Sequence, residues 1–212
     1  MNPFDTTLTT IADELKKQER VGILLAAQLG GTPEEIQLMI QLANYNEEDE
    51  SLRPQGVYVV RCVGVREQRL SLGLFGTMAY SSDHPLLWNH NTLYHQVYFR
   101  GKPTDVNSLM LDLNQIYGQY YGPFRTLADD LNLARPLGQL LATGYGLLGE
   151  MPEPMAKKVV ELLKRHGVQA HLLAADQKPP PIQFHLLVLD DSFIVAQMYS
   201  AEPLRGKAEK TQ

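Results

Sequence analysis

Residues able to do chemistry are spread through this 212-residue chain without gathering into a motif. Six histidines stand at 84, 90, 95, 166, 171 and 185, and no two have the i, i+4 spacing that puts a pair of metal ligands on one helix face. His171 and His185 fall on separate predicted strands and would meet only across a hairpin, short of the converging donors a metal needs. No metal site is expected. Ser82, Asp83 and His84 are sequence neighbours, whereas triad members converge from distant positions, so no catalytic residue is assigned. The only cysteine, Cys62, reads as a buried thiol, and with no second cysteine there is no internal disulfide, which fits a reducing compartment. Gly144, Gly146 and Gly149 spell GxGxxG, with Asp176 beyond them. A dinucleotide loop comes after a strand and opens a helix, but here Leu137 to Ala142 reads as helix, and Pro152 and Pro154 break the stretch after the last glycine. Those glycines are assigned to close helix packing or a hinge, and no cofactor is expected.

The densest polar and aromatic cluster is Asp83, His84, Trp88, Asn89, His90 and Asn91, on a predicted loop, the usual place for binding residues. Tyr94 and Tyr98 come next on a strand, opposite the face that carries Leu93, Val97 and Phe99; Tyr117, Tyr120 and Tyr121 lie on the helix after it. Tyrosine and tryptophan give large contact area with a polar tip, which suits a protein interface. The expected partner-binding residues are Trp88, His90, Tyr94, Tyr98 and Tyr121. Tyr117 and Tyr120 share the main apolar face of their helix, and Tyr121, about 100° from Tyr120, is expected at its exposed edge.

The run from Met155 to Ser200 contains VELLKRHGVQAHLL and then IQFHLLVLDDSFIVAQMYS. It resembles the closing half of a phospholipase-D-like domain: a helix, a strand, a strand carrying HxKxxxxD and a paired strand. Placing Asp190 on the family aspartate puts His185 at the lysine position and Gln183 at the histidine position. The nucleophile is then missing, and the resemblance implies a degenerate phosphodiesterase fold.

The elements that must position these residues are read from periodicity. Residues 5 to 29 read as helix, with Asp5 as cap, Leu8, Ile11 and Leu15 as a stripe, and Gly30 and Gly31 as the stop. Thr32, Pro33 and Glu35 form a capping box for a second helix from 33 to about 45, with Ile36, Met39, Ile40 and Ala43 as its core face. Period-two runs at 57–65 and 70–78 form a hairpin around Arg66–Arg69, and Thr92–Arg100 is a third strand. A helix capped by Thr104 runs to Gly122 and Pro123, a glycine-rich helical stretch reaches Gly149, and a helix at 154–166 ends at Gly167. Strands at 168–174, 182–189 and 193–199 close the chain, the last two joined by a turn at Asp190, Asp191 and Ser192. The fold class expected is α+β with mainly antiparallel sheet, as two three-stranded meanders packed with helices behind an N-terminal helical pair. The expected division is a helical segment at 1–50, an α+β domain at 51–203 and a flexible basic tail at 204–212.

Composition narrows the function classes. The hydrophobic share of 44% and charged share of 20% are those of a globular chain. A net charge of −5 argues against broad nucleic-acid binding. Val21–Leu29 is shorter than the roughly 20 residues of a spanning helix, and Met1–Thr10 lacks a basic opening, so a cytoplasmic location is expected. The order helix, three strands, helix resembles secretion-chaperone-like folds. The expected function is a non-catalytic interaction protein, an assembly factor, chaperone-like adaptor or regulator that binds a protein partner, with self-association open. A small-ligand sensor and the degenerate phosphodiesterase fold are the alternatives.

Overall fold

A computed structural model describes residues 6–46, 48–132, 134–174 and 181–204. The chain divides into two compact units, one from Met1–Asp83 with Phe184–Gln212 and one from His84–Gln183. The class is α+β with mainly antiparallel sheet, as expected.

The discontinuous unit opens with α1 (Thr6–Leu15), and there the expected helical pair ends. Next come β1 (Arg20–Leu29) and β2 (Glu35–Asn46), paired antiparallel from Arg20↔Asn44 to Leu29↔Ile36. Ile36, Leu38, Ile40 and Leu42 show why: they alternate at period two and all four are buried. The same stretch also fits a 3.6-residue period, and pairing with strands on both sides decides between the two. Thr32, Pro33 and Glu35 therefore close a hairpin instead of capping a helix. Glu35 N donates to Thr32 O (3.1 Å) and Gly30 N to Glu35 O (2.8 Å). The expected boundary at residue 50 falls between β2 and β3 (Ser51–Val63), which are paired neighbours.

The two meanders are also replaced. β3 pairs with β2 and β12 (Met198–Pro203), not with the residues after it. Residues 67–81 break into β4 (Glu67–Arg69), β5 (Gly73–Phe75) and β6 (Met78–Ser81), which pair with β11 (Ser192–Ala196), β1 and β10 (His185–Leu189) respectively. Gly73, at φ 133°, supplies a backbone conformation that other residues resist in this broken run. The sheets are β12-β3-β2-β1-β5 and β4-β11-β10-β6. Their shared core takes Leu8 and Ile11 from α1, Leu24, Leu38 and Val60 from the first sheet and Leu187 and Ile194 from the second.

The continuous unit holds β7 (Tyr94–Arg100) between β8 (Tyr145–Pro152) and β9 (Gln169–Ala174), all antiparallel. The stretch expected as glycine-rich helix is α4 (Leu137–Thr143), then Gly144 in left-handed conformation, then β8. The GxGxxG order is thus helix-to-strand, the reverse of a phosphate loop. Gly149 lets the backbone at Asp130 lie against β8, since a Cβ there would stand 2.2 Å from Asp130 O. The strongly amphipathic α5 (Glu153–Arg165) packs on all three strands and on α3 (Val106–Tyr121). The cap of α3 is Asp105, not Thr104: its carboxylate accepts from Asn107 N (2.8 Å) and Ser108 N (3.2 Å). No helix among the described residues is long and apolar enough to cross a membrane. Asp5, Asp176 and the tail from 205 lie outside the described residues.

Candidate functional site

The segment expected as a loop around Trp88 is a 3₁₀ turn, Pro85–Leu87, leading into the short α2 (Trp88–Asn91). His84 starts it, its Nδ1 accepting from Leu86 N at 3.2 Å, with Pro85 pre-set at the first position. Trp88 rests on α3, its ring centroid 5.5 Å from Tyr120 and 6.1 Å from Tyr121. Tyr121 is 1% exposed, so the expected exposed edge is wrong. The buried stripe of α3 is Leu109, Leu113, Tyr117 and Tyr121, an unbroken i, i+4 row. Tyr120, half-buried, carries Lys158 Nζ over its ring at 4.3 Å.

Under this aromatic group lies a polar centre the sequence did not reveal. Tyr117 OH donates to Asp130 Oδ2 at 2.8 Å, and Arg125 Nη2 donates to Asp130 Oδ1 at 2.9 Å. Arg125 also sits over the Tyr121 ring, 5.8 Å from its centroid, and donates to Asn89 Oδ1 from Nη1 (2.5 Å) and Nε (3.1 Å). Burial raises the Asp130 pKa above the usual carboxylate range, opposed by Tyr117 and Arg125. Burial, and then Asp130, push the Tyr117 hydroxyl up as well. Both carboxylate oxygens accept hydrogen bonds and burial favours the protonated phenol, and the centre joins α2, α3 and the 125–132 segment. Only a tertiary contact distinguishes Asp130 from Asp129 beside it; local spacing carries no such signal.

Tyr98 lies elsewhere. On β7, Val97 and Phe99 are buried on the helix-covered side, and Tyr98 stacks flat on His171 of β9, 5.7 Å between centroids and 13° between planes. Register and alternation place Gln96, Arg100, Leu147, Tyr145 and Leu173 on the same face. Tyr145 is 72% exposed and Leu173 50%. A cleft of about 250 Å³ opens at its rim between Arg135, Leu140, Tyr145 and Leu147. Of the five expected residues, Trp88 and Tyr121 meet; burial and then Asp130 raise the pKa of the Tyr121 hydroxyl, and Tyr94 adds a smaller push in the same direction. His90 is half-buried in α2, and Tyr98 belongs to the stacked pair on the sheet.

The residues of the phospholipase-D-like resemblance are divided. α5 and β9 belong to the continuous unit, β10 and β11 to the other. Asp190 accepts from Gly76 N (2.7 Å), Thr77 N (2.9 Å) and Thr77 Oγ1 (2.5 Å), tying its turn to the β5–β6 connection. Burial pushes the Cys62 thiol up to about 12, which leaves no thiolate near neutral pH. Among the described residues no three His, Cys, Asp or Glu side chains gather to hold a metal. No family model matches the chain, and neither the curated proteins nor the solved structures include a match to it.

Proposed function

We propose that this chain is a non-catalytic interaction protein that binds a protein partner through the face of β8-β7-β9 that lies away from α5, in the manner of an assembly factor, adaptor or chaperone-like regulator. The observation that carries the reading is the stacked Tyr98–His171 pair with exposed Tyr145 and Leu173 on the side of the sheet away from α5. Stacked rings are already ordered, so little side-chain entropy is lost when a partner covers them, and aromatic anchors of this kind carry most of an interface's energy. The cleft beside Tyr145 offers a socket for one partner side chain. Trp88 and Tyr121 serve this reading by stiffening α2 and α3 behind the sheet.

The test is a photo-crosslinking side chain at position 145 or 173 of the full chain, applied in native lysate, with the captured polypeptide identified and its affinity then measured. Tyr98→Ala and Tyr145→Ala should each weaken binding by about 1–3 kcal/mol with melting little changed. A partner whose affinity ignores both changes, or no polypeptide captured from either position, rejects the reading.

A further inference from the structure

We infer that a second copy of this chain docks on the free edge of β1, joining two five-stranded sheets into one. β1 is paired with β2 over its full length, but on its other side β5 covers only Gly22–Leu24. β5 begins at Gly73, opposite Leu24, and the residues before it lead to β4, which pairs with β11 in the other sheet. Leu25–Leu29 therefore has no described strand on that side. Backbone N–H and C=O groups along such an edge are a template for another strand. Lysine, proline and inward charge, three of the usual guards of such an edge, are absent from Val21–Leu29, and the bulge at Leu25 confines the regular edge to the residues after it. Leu25, Leu29, Leu72 and Leu74 on or next to it are 41%, 71%, 65% and 65% exposed.

The shape and charge of the edge select the occupant. The open window is bounded by β5 at Leu24 and by the Gly30–Gly31 turn. A long foreign strand would run into β5 at one end. A second copy does not, because its own chain turns back toward its β2 at Gly30, where it would meet the first copy's β5. A two-fold axis normal to the sheet through Ala27 pairs the window with itself: Ala27 on Ala27, Ala26 on Gln28, and Leu25 facing Leu29 at each end. The regular ladder runs over residues 26–28, since the β1–β2 register shifts between Leu24 and Ala26. An acidic or basic strand finds no counter-charge on this edge, whereas a copy presents the same uncharged one. This contact is isologous and closes at two chains.

Sedimentation equilibrium of the full chain, up to the hundred-micromolar range and at low and high salt, reads the proposal. A dimer is expected, held equally or more tightly in high salt, because the contact is uncharged while the copies carry like net charge. Ala27→Lys sets two ammonium groups against each other across the axis and should weaken dimerisation by about tenfold or more, as should Ala27→Glu. Mixing the two variants should restore a mixed dimer. Circular dichroism establishes that each variant folds, and Leu29→Lys, also at an exposed position, replaces Ala27→Lys if that variant does not. A chain monomeric throughout, or a dimer that the lysine variants leave intact, overturns the inference.

Discussion

Asp190 sits in the left-handed region at φ 46° and makes three hydrogen bonds from a turn of two residues. Two demands meet at this residue: a side chain that tolerates positive φ and a carboxylate that accepts from Gly76 and Thr77. Asparagine meets the first and half of the second, glycine only the first, alanine neither. Asp190→Ala should therefore cost about 2 kcal/mol, the sum of a left-handed strain and lost charge-assisted bonds, with Asp190→Asn costing least in urea melts. Partial burial alone would raise the carboxyl's pKa, but Thr77 and the two amides outweigh it and hold the pKa below the ordinary value. The unfolded chain thus takes up the proton first. The stabilisation is complete above the ordinary carboxylate range and is lost as pH falls through it toward the lowered folded value. Asp190→Asn should flatten this part of the acid limb of stability against pH, and an unchanged limb would count against the assignment. The turn itself was legible in the sequence from its Asp-Asp-Ser run; its acceptor role was not, because Gly76 and Thr77 lie more than a hundred residues away.

At the scale of elements, what was readable depended on whether one periodicity stood alone. α5 was legible because its apolar stripe, basic last turn and Gly167 agree, and Gly167 takes the expected positive φ of 75°. β2 was not, because Ile36 and Ile40 belong to both a helical and an alternating pattern. Tyr121 was misplaced for a related reason: counting Tyr120 with Tyr117 into the apolar face of α3 turned the wheel by about one residue from its i, i+4 row. The glycines of 138–149 give a direct check on their element-level roles. Gly149→Ala should cost on the order of 3 kcal/mol, since its Cβ would overlap the Asp130 carbonyl and force the 130–132 segment off β8. Gly138→Ala, inside α4 with Met110 Sδ at an ordinary 3.4 Å from the new Cβ, should stabilise by about 0.5–1 kcal/mol. Equal effects in urea melts would contradict both roles.

At the scale of the molecule, residues 84–183 leave and re-enter the other unit through neighbouring strands, β6 and β10, with Ser81 paired to Leu186. Paired residues in an antiparallel ladder stand about 5 Å apart, so a short connection can replace the whole inserted unit at little loop-closure cost. Exchanging residues 84–183 for a brief Gly/Ser linker should leave a chain with a cooperative melt and strand-rich circular dichroism. A molten product would show that the discontinuous unit depends on the insertion. This insertion was not legible in advance, because a boundary inside a β-sheet has no composition of its own; the strand that completes β6 is known only once the chain returns.

The same pairing sets an order on synthesis. When β6 leaves the ribosome, β10, β11 and β12 do not yet exist, and β3 and β4 await partners encoded more than a hundred residues downstream. Residues 84–183 are continuous and can close as soon as they emerge. At roughly 5–20 residues per second, the earlier strands stay incomplete for about 5–20 s while the later-made unit matures. For that interval the nascent chain carries apolar strands with unfilled edges, so its exposure to chaperones and to neighbouring polysomes is greatest while residues 84–183 are being made.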